Sequence, residues 1–454
     1  MLKKVKLAIA ACSAAAVLFL AAAFCLYVHS FRNLSAIQPL TAEQQQELET
    51  KLDTSFPARK QILHELPYNT VSAKLDVGAQ SAVLIDTATG CILFEKNADR
   101  IIPPASMTKL VVMYIAFEEI ASGHISLKDI VPIRPDSYAR NLPFDASRMF
   151  LNAGQTVTLE ELLTGMAVDS GNDAAIAVAE YISGSVDKFV ERMNSEVQAM
   201  GLIHTRFTEP SGYSETNLTT AREFGAFATM YVTKFPQALA DFHSRREFSY
   251  PLPKNLPGFA PEKVKPIKQE NTNRLLGVLE GCDGIKTGFI YESGYNLALT
   301  AQRNGTRFLS VTMGGPGRGG IQGNTWRIRD GTTLMEWAFS SFADYKAGKQ
   351  SYTVPVPGGK GKFVHLIPVR QSDTLTVPFI SGNSPRQSAE SVTVAAELPL
   401  YLSGKVEAGA VYGMLTYKLG STVLEKIPLA ADRDIQKGNF ISSLIGKAAA
   451  LFLR

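Results

Sequence analysis

The sequence predicts an α/β domain whose sheet is assembled from both ends of the domain, then a separate small β domain, with membrane-associated segments at both termini. Three observations predict this. Strand-like runs open and close the stretch 73–342 while helical periodicity fills its middle. Short strand-like runs alternating with Gly/Pro/Ser turns fill 352–432. Apolar segments occupy residues 1–29 and 438–454. A chain of 454 residues with 45% apolar composition can bury more than one core. Its formal charge of +4, without a long basic run, argues against a nucleic-acid binder.

Taken in order, Lys3, Lys4 and Lys6 precede an apolar run from Leu7 to Val28, the pattern of an exported chain. Residues 1–29 are a signal peptide or a signal anchor. Cleavage after Ala21 to Ala23 and retention are both open, since about 20 apolar residues span a bilayer. Ile9-Ala10-Ala11-Cys12 resembles a lipoprotein cleavage site, but too little apolar sequence precedes it. Residues 30–72 read as a polar spacer with a short helix over Thr41 to Leu52.

Ala82 to Ile85 and Cys91 to Phe94 flank Thr87-Ala88-Thr89-Gly90 as a β-hairpin. Pro103-Pro104 opens a helix with apolar Leu110, Met113, Phe117 and Ile120. Thr158 and Glu161 have capping-box spacing before a helical run to Val168, and a second run covers Asp173 to Ile182. Tyr295 to Gln302 and Thr306 to Met313 flank Arg303-Asn304-Gly305, an Asn-Gly hairpin signal, before a helix ending near Trp337 and Phe342.

In the second domain the strand-like stretches are Tyr352 to Pro357, Phe363 to Val369, Leu375 to Ile380, Val392 to Leu398 and Gly413 to Leu419. The last segment carries an apolar stripe of Phe440, Ile441, Leu444, Ile445, Ala448, Leu451 and Phe452. Such a helix lies in a membrane interface or packs on the β domain.

Ser106-Met107-Thr108-Lys109 places a hydroxyl and an amine one helical turn apart, so the amine can take the hydroxyl proton. Ser185-Val186-Asp187-Lys188 has the same spacing. Ser170-Gly171-Asn172 lies between two helices, and Ser381-Gly382-Asn383 repeats it in the β domain. Lys286-Thr287-Gly288 offers a cation, a hydroxyl and a residue with no side chain to obstruct a ligand. Only Ser106, Ser170 and Lys286 occur in the order found in penicillin-binding proteins and class A β-lactamases. The four cysteines, Cys12, Cys25, Cys91 and Cys282, have no metal-site spacing, and neither metal nor cofactor is expected. Cys91 and Cys282 remain outside the bilayer, where a disulfide is permitted.

Over 75 to 342 the chain resembles the low-molecular-mass penicillin-binding proteins, specifically the D-alanyl-D-alanine carboxypeptidases of peptidase family S11. The likeness extends to Ala79-Gln80-Ser81-Ala82, Pro210-Ser211-Gly212-Tyr213, Asn271-Thr272-Asn273 and Ser293-Gly294-Tyr295-Asn296-Leu297. It implies a serine β-lactamase/penicillin-binding-protein-like domain, an antiparallel sheet with helices on both sides, followed by a β-sandwich over 352–432 and an amphipathic membrane helix. It also implies an extracytoplasmic, membrane-associated enzyme acting on peptidoglycan stem peptides ending in D-Ala-D-Ala, with β-lactam antibiotics as covalent inhibitors.

The resemblance gives each residue a role. Ser106 is the nucleophile and Lys109 its base; Ser170 passes a proton to the leaving D-alanine; Asn172 positions Lys109 and the substrate amide. Lys286, Thr287 and Gly288 meet the substrate, the two side chains at its carboxylate, and the N–H groups of Ser106 and Phe289 form the oxyanion hole. Phe289 departs from relatives that carry a polar residue or histidine there. Arg327 is the carboxylate-side arginine by its spacing to Trp337, with a solvated surface arginine as the alternative. A class A β-lactamase needs Glu-x-x-x-Asn between the Ser170 and Lys286 motifs, and only Glu292 to Asn296 has the spacing, too late in the chain. D,D-endopeptidase action and a non-catalytic wall-binding or scaffolding role stay open.

Overall fold

Along Ser81–Asp86, Val83 and Ile85 face one side of a sheet and Ala82 and Leu84 the other, and all four are fully buried. Two covered faces require two helical layers. The computed structural model describes residues 2–31, 39–70, 74–257, 265–379 and 384–452. It divides into a unit of Ile62–Asp344 with Thr376–Ala389, and a unit of Met1–Gln61, Tyr345–Leu375 and Glu390–Arg454.

The main sheet of the first unit has six strands: β1 (His64–Glu65), β2 (Ser81–Asp86), β3 (Cys91–Lys96), β4 (Cys282–Ile290), β5 (Gly294–Arg303) and β6 (Thr306–Gly315). Their order is β1-β3-β2-β6-β5-β4, antiparallel except for the parallel pair β1 and β3. The sheet is thus built from both ends of its domain, as the order of strand and helix signals predicts. Asn304 and Gly305 both take positive φ in the β5–β6 turn, as a two-residue hairpin of that twist requires. On one face Val83, Ile85, Leu309 and Val311 pack with helices Lys109–Ala121, Leu159–Val168, Asn172–Ser183 and Ala221–Lys234. On the other, Leu84, Leu297 and Leu299 pack with Leu334, Met335 and Ala338 of helix Gly320–Ser341.

The helix Lys109–Ala121 decides where the chemistry sits. Its residues Lys109 to Phe117 are all buried, so it runs through the core. Ser106 lies just before it in a 3-10 turn, Ala105–Thr108. Strand β4, with Lys286-Thr287-Gly288, is an edge of the sheet and lies against that turn.

The second unit carries one antiparallel sheet in the order Tyr352–Pro355, Phe363–Pro368, Thr422–Ala431, Val411–Leu419, Val392–Glu397. Thr422–Ala431 was not among the expected strands. Pro428 and the pair Glu425-Lys426 break its alternation, yet it is a central strand. The expected stretch Leu375 to Ile380 forms Thr374–Pro378 outside this sheet, and Ile380 lies outside the described residues, as does Ser381-Gly382-Asn383.

The polar stretch 30–72 is more than a spacer. Residues 32–38 and 71–73 lie outside the described residues, but Ala42–Ser55 is a helix with a capping box from Thr41 and Gln44. Its Leu48 and Leu52 are buried, and Lys51 pairs with Asp434 at 3.4 Å within the same unit. Two apolar residues at i and i+4 give this polar helix a face to bury.

The terminal helices belong to this unit as well. In Leu2–Ser30, the stretch Ile9–Ser30 has mean hydropathy 2.5 and is long enough to cross a membrane. Helix Phe440–Ala450, capped by Asn439, buries Gly446, Ala449 and Ala450 while Phe440, Ile441 and Leu444 stay exposed. One side is packed and the other is exposed.

Candidate active site

A lysine at the first turn of a core helix must find acceptors inside the protein, because water cannot reach it. Lys109 is 0% exposed, and its Nζ lies 3.0 Å from Ser106 Oγ, 2.7 Å from Asn172 Oδ1 and 2.5 Å from the Ser211 carbonyl. Three partners suit either protonation state. An ammonium donates to all three, whereas a neutral amine donates to Asn172 and Ser211 and turns its lone pair to the Ser106 hydroxyl. Burial pushes the Lys109 ammonium down to about 7, against the opposing charges of Glu209 and Asp173. At neutral pH a substantial fraction is therefore free base.

Ser170 and Asn172 enter on the turn between helices Leu159–Val168 and Asn172–Ser183. Ser170 has φ 61°, a left-handed conformation costly for a non-glycine residue. Neighbouring Asp173 holds the turn. Its buried carboxylate accepts from the N–H groups of Met149, Leu151 and Ala174 at 2.8, 3.0 and 3.0 Å, and Asn172 N–H donates to the Ser147 carbonyl.

Lys286 is 1% exposed, and its Nζ donates to Ser170 Oγ at 3.0 Å and to the Thr287 carbonyl at 3.1 Å. Its pKa is driven well below the ordinary lysine value by burial, then by the like charges of Lys109 and Arg327, with Asp169 opposing. An arriving anion would favour its charged form. Thr287 Oγ1 donates to Thr272 Oγ1 at 2.8 Å, which ties β4 to Asn271-Thr272-Asn273.

Gly288 has a packing reason as well. A Cβ there would come 2.4 Å from the Pro104 carbonyl oxygen and 3.2 Å from Met107 N, so the bare glycine lets β4 close on the Ser106 turn itself. Phe289 is 39% exposed and stacks on Tyr295 with centroids 4.4 Å apart.

Arg327 is no solvated surface arginine. Its guanidinium donates to the Gly288 carbonyl at 2.5 Å, the Asn296 carbonyl at 3.1 Å and Asn324 Oδ1 at 2.9 Å, and lies over the Tyr295 ring. Burial lowers its pKa to about 10. Arg329 instead pairs with Asp76, and Arg318 is exposed.

Ser106, Lys109, Asn172, Ser170, Lys286 and, through backbone contacts, Gly288 and Arg327 form one connected constellation. Sequence reasoning missed Asp173, Glu209 and Asn217. Asp173 adjoins the Ser170 motif and Glu209 adjoins Pro210-Ser211-Gly212-Tyr213, so position was the available signal; their long-range partners were not visible. Cys91 and Cys282 are not joined in a disulfide. No cluster of His, Cys, Asp or Glu suited to a metal is found among the described residues.

A family model described as D-alanyl-D-alanine carboxypeptidase matches residues 68–317, and one described as penicillin-binding protein 5, C-terminal domain, matches 339–437. The D-alanyl-D-alanine carboxypeptidase DacF of Bacillus subtilis is 31% identical over 372 residues, 81% of this chain and 88% of that protein. DacA of Escherichia coli is 30% identical over 385 residues, 83% of this chain and 88% of that protein. The crystal structure of penicillin binding protein 5 from Haemophilus influenzae superposes with a TM-score of 0.67 at 30% identity, covering 81% of this chain and 100% of that one. The class is thereby fixed as a low-molecular-mass penicillin-binding protein. Within it, the chain belongs to the D-alanyl-D-alanine carboxypeptidase family, peptidase family S11.

Proposed function

We propose that the protein is a serine-type D-Ala-D-Ala carboxypeptidase that removes the terminal D-alanine from peptidoglycan stem peptides, working outside the cytoplasm at the membrane. The observation that carries the serine mechanism is the placement of Lys109 Nζ, fully buried and 3.0 Å from Ser106 Oγ, where burial lowers its pKa to about 7.

Ser106 Oγ attacks the carbonyl carbon of the penultimate D-alanine while its proton passes to the Lys109 amine. The resulting oxyanion is held by the N–H groups of Ser106 and Phe289, and the closeness of β4 to the Ser106 turn supports that pairing. As an edge strand, β4 can take the substrate backbone as a further strand. The C–N bond then breaks, and a proton reaches the departing amine through Ser170, whose Oγ is bonded to Lys286. Lys286 and Thr287 bind the carboxylate of the terminal residue, and Arg327 holds β4 through the Gly288 carbonyl. Water, deprotonated by Lys109, attacks the Ser106 ester and restores the serine.

A carboxylate beside the scissile amide is the group that a buried lysine in this place favours. The same hydroxyl and amine give β-lactams an acylation route. The apolar N-terminal helix and the exposed face of Phe440–Ala450 support membrane attachment.

The test is D-alanine release by the detergent-solubilised full chain from a peptide ending in D-Ala-D-Ala, with benzylpenicillin labelling located by mass spectrometry. Release together with a label on Ser106 is expected. Labelling without release, but with cleavage of crosslinked muropeptides, would replace this reading by endopeptidase action. A folded protein that is neither labelled nor active would leave the wall-binding role.

A further inference from the structure

Between the helices lies a loop, Glu209 to Asn217, whose hydrogen bonds converge on one carboxylate. Glu209 Oε2 accepts from Ser211 N at 2.7 Å and Ser211 Oγ at 2.6 Å. Its Oε1 accepts from Gly212 N at 2.6 Å, Asn217 Nδ2 at 2.9 Å and Ser214 N at 3.4 Å. Five donors around one side chain leave the loop a single shape.

That shape is aimed at the catalytic turn. The Ser211 carbonyl accepts from Lys109 Nζ at 2.5 Å. Gly212, at φ 79°, lies so close to the serine turn that a Cβ on it would come 1.9 Å from the Ala105 carbonyl oxygen and 2.9 Å from Ser106 N. Asn217, 0% exposed, also reaches Thr108 Oγ1 at 3.3 Å, between the serine and the lysine of the motif. The loop therefore touches Ala105, Ser106, Thr108 and Lys109 at once.

We propose that Glu209 is a positioning residue for the proton-transfer step, folding this loop so that the Ser211 carbonyl holds the Lys109 amine on Ser106 and placing a fixed negative charge beside it. This rests on the reading of Lys109 as the base. The charged groups acting on Lys109 come from three places: Glu209 on the loop, Asp173 on helix Asn172–Ser183, and Lys286 on β4. Glu209 and Asp173 favour the ammonium and Lys286 opposes it. Without the Glu209 charge the ammonium loses its proton more easily, so the free base persists to lower pH.

A glutamine keeps the shape of Glu209 but sets an NH2 against donors that now face an oxygen. The experiment follows single-turnover acylation by benzylpenicillin against pH for the full chain, Glu209→Gln and Glu209→Asp. For Glu209→Gln the plateau should fall about 10- to 100-fold, part of the roughly 10²–10⁴ that a positioned base contributes. Its acidic limb should also move to lower pH. Glu209→Asp, which keeps the charge on a shorter arm, should lower the plateau and leave the limb in place.

A purely structural role would lower the rate at every pH without moving the limb. Thus an unmoved limb in Glu209→Gln overturns the inference. If Glu209→Gln shows no cooperative melting, Glu209→Ala takes its place and is read the same way: an acidic limb moved to lower pH upholds the inference, and an unmoved limb overturns it. Failure of the wild type to acylate at Ser106 would remove the catalytic reading underneath, an outcome separate from all of these.

Discussion

Ser106 and Ser185 each stand three residues before a lysine, yet one pair lies in the proposed active site with its lysine buried, and the other caps a helix. Ser185 is the N-cap of Val186–Ala199, where its Oγ accepts from Lys188 N at 3.3 Å and the Lys188 side chain points to solvent. Ser106 caps nothing, and its lysine is inside the protein. The helix that follows makes the difference. Val186–Ala199 buries only Phe189, Met193 and Val197, a single stripe that leaves Lys188 outside. Lys109–Ala121 is buried from Lys109 through Phe117, so its lysine has no outside to reach.

The comparison breaks most severely at the two serines' chemistry. Ser106→Ala should lose penicillin labelling and reduce D-alanine release by roughly 10⁴-fold or more, the scale on which nucleophile loss acts in serine hydrolases. Ser185→Ala should label like the wild type. Labelling that survives in Ser106→Ala, assayed by mass spectrometry, would move the nucleophile elsewhere.

The lysines come next. Lys109→Met should lower acylation by about 10²–10⁴-fold, the contribution of a positioned base, and Lys188→Met should leave it unchanged. In the wild type the acylation rate should fall tenfold per pH unit on the acid side of about 7, where Lys109 becomes charged. Stability gives the matching sign. The folded pKa of Lys109 is below its unfolded value, so between about 7 and 10.5 the unfolded chain binds more protons. The wild type should therefore gain stability relative to Lys109→Met as pH rises through that window, read from chemical denaturation at pH 7 and pH 10. A constant difference would mean that Lys109 is charged in the folded protein.

A smaller effect is expected at Gly288→Ala. The added methyl meets the Pro104 carbonyl oxygen at 2.4 Å, and separating β4 from the Ser106 turn should cost about 1–3 kcal/mol of stability, the usual range for overpacking. Acylation should slow as well, because the Phe289 N–H moves with the strand. Stability lost with acylation intact would separate β4 from the oxyanion hole.

The contrast between the two helices was legible in the sequence, since Leu-Val-Val-Met-Tyr-Ile-Ala-Phe after Lys109 has no polar face, while Asp187, Lys188, Glu191 and Arg192 give the other helix one. So were the three motifs, the β5–β6 hairpin at Asn304-Gly305 and the capping box at Thr158 and Glu161. Contacts fixed by tertiary approach were not. Gly288 offers no sign in its neighbours that Pro104 stands behind it, and nothing near Arg327 announces that it donates to the Gly288 carbonyl. The central strand Thr422–Ala431 was hidden by Pro428, and the docked face of Ala42–Ser55 by its surrounding Glu and Gln residues.

The smallest effect belongs to the capping serine, and it sharpens the comparison because its sign of function is opposite. Ser185→Ala leaves Lys188 N–H without its side-chain acceptor, a loss of about 1 kcal/mol for an N-cap of this kind. In a unit of this size that amounts to a fall in melting temperature of roughly 2–4 °C. Ser185→Asp should recover the stability, since a carboxylate accepts the same bond and favours the helix N-terminus. Ser106→Asp should recover nothing, because the proposed mechanism needs the Ser106 hydroxyl oxygen as the nucleophile that forms the acyl ester, and a carboxylate does not replace it. A Ser185→Ala variant that melts with the wild type would show that solvent satisfies the Lys188 N–H, and would leave the second Ser-x-x-Lys without even a structural part.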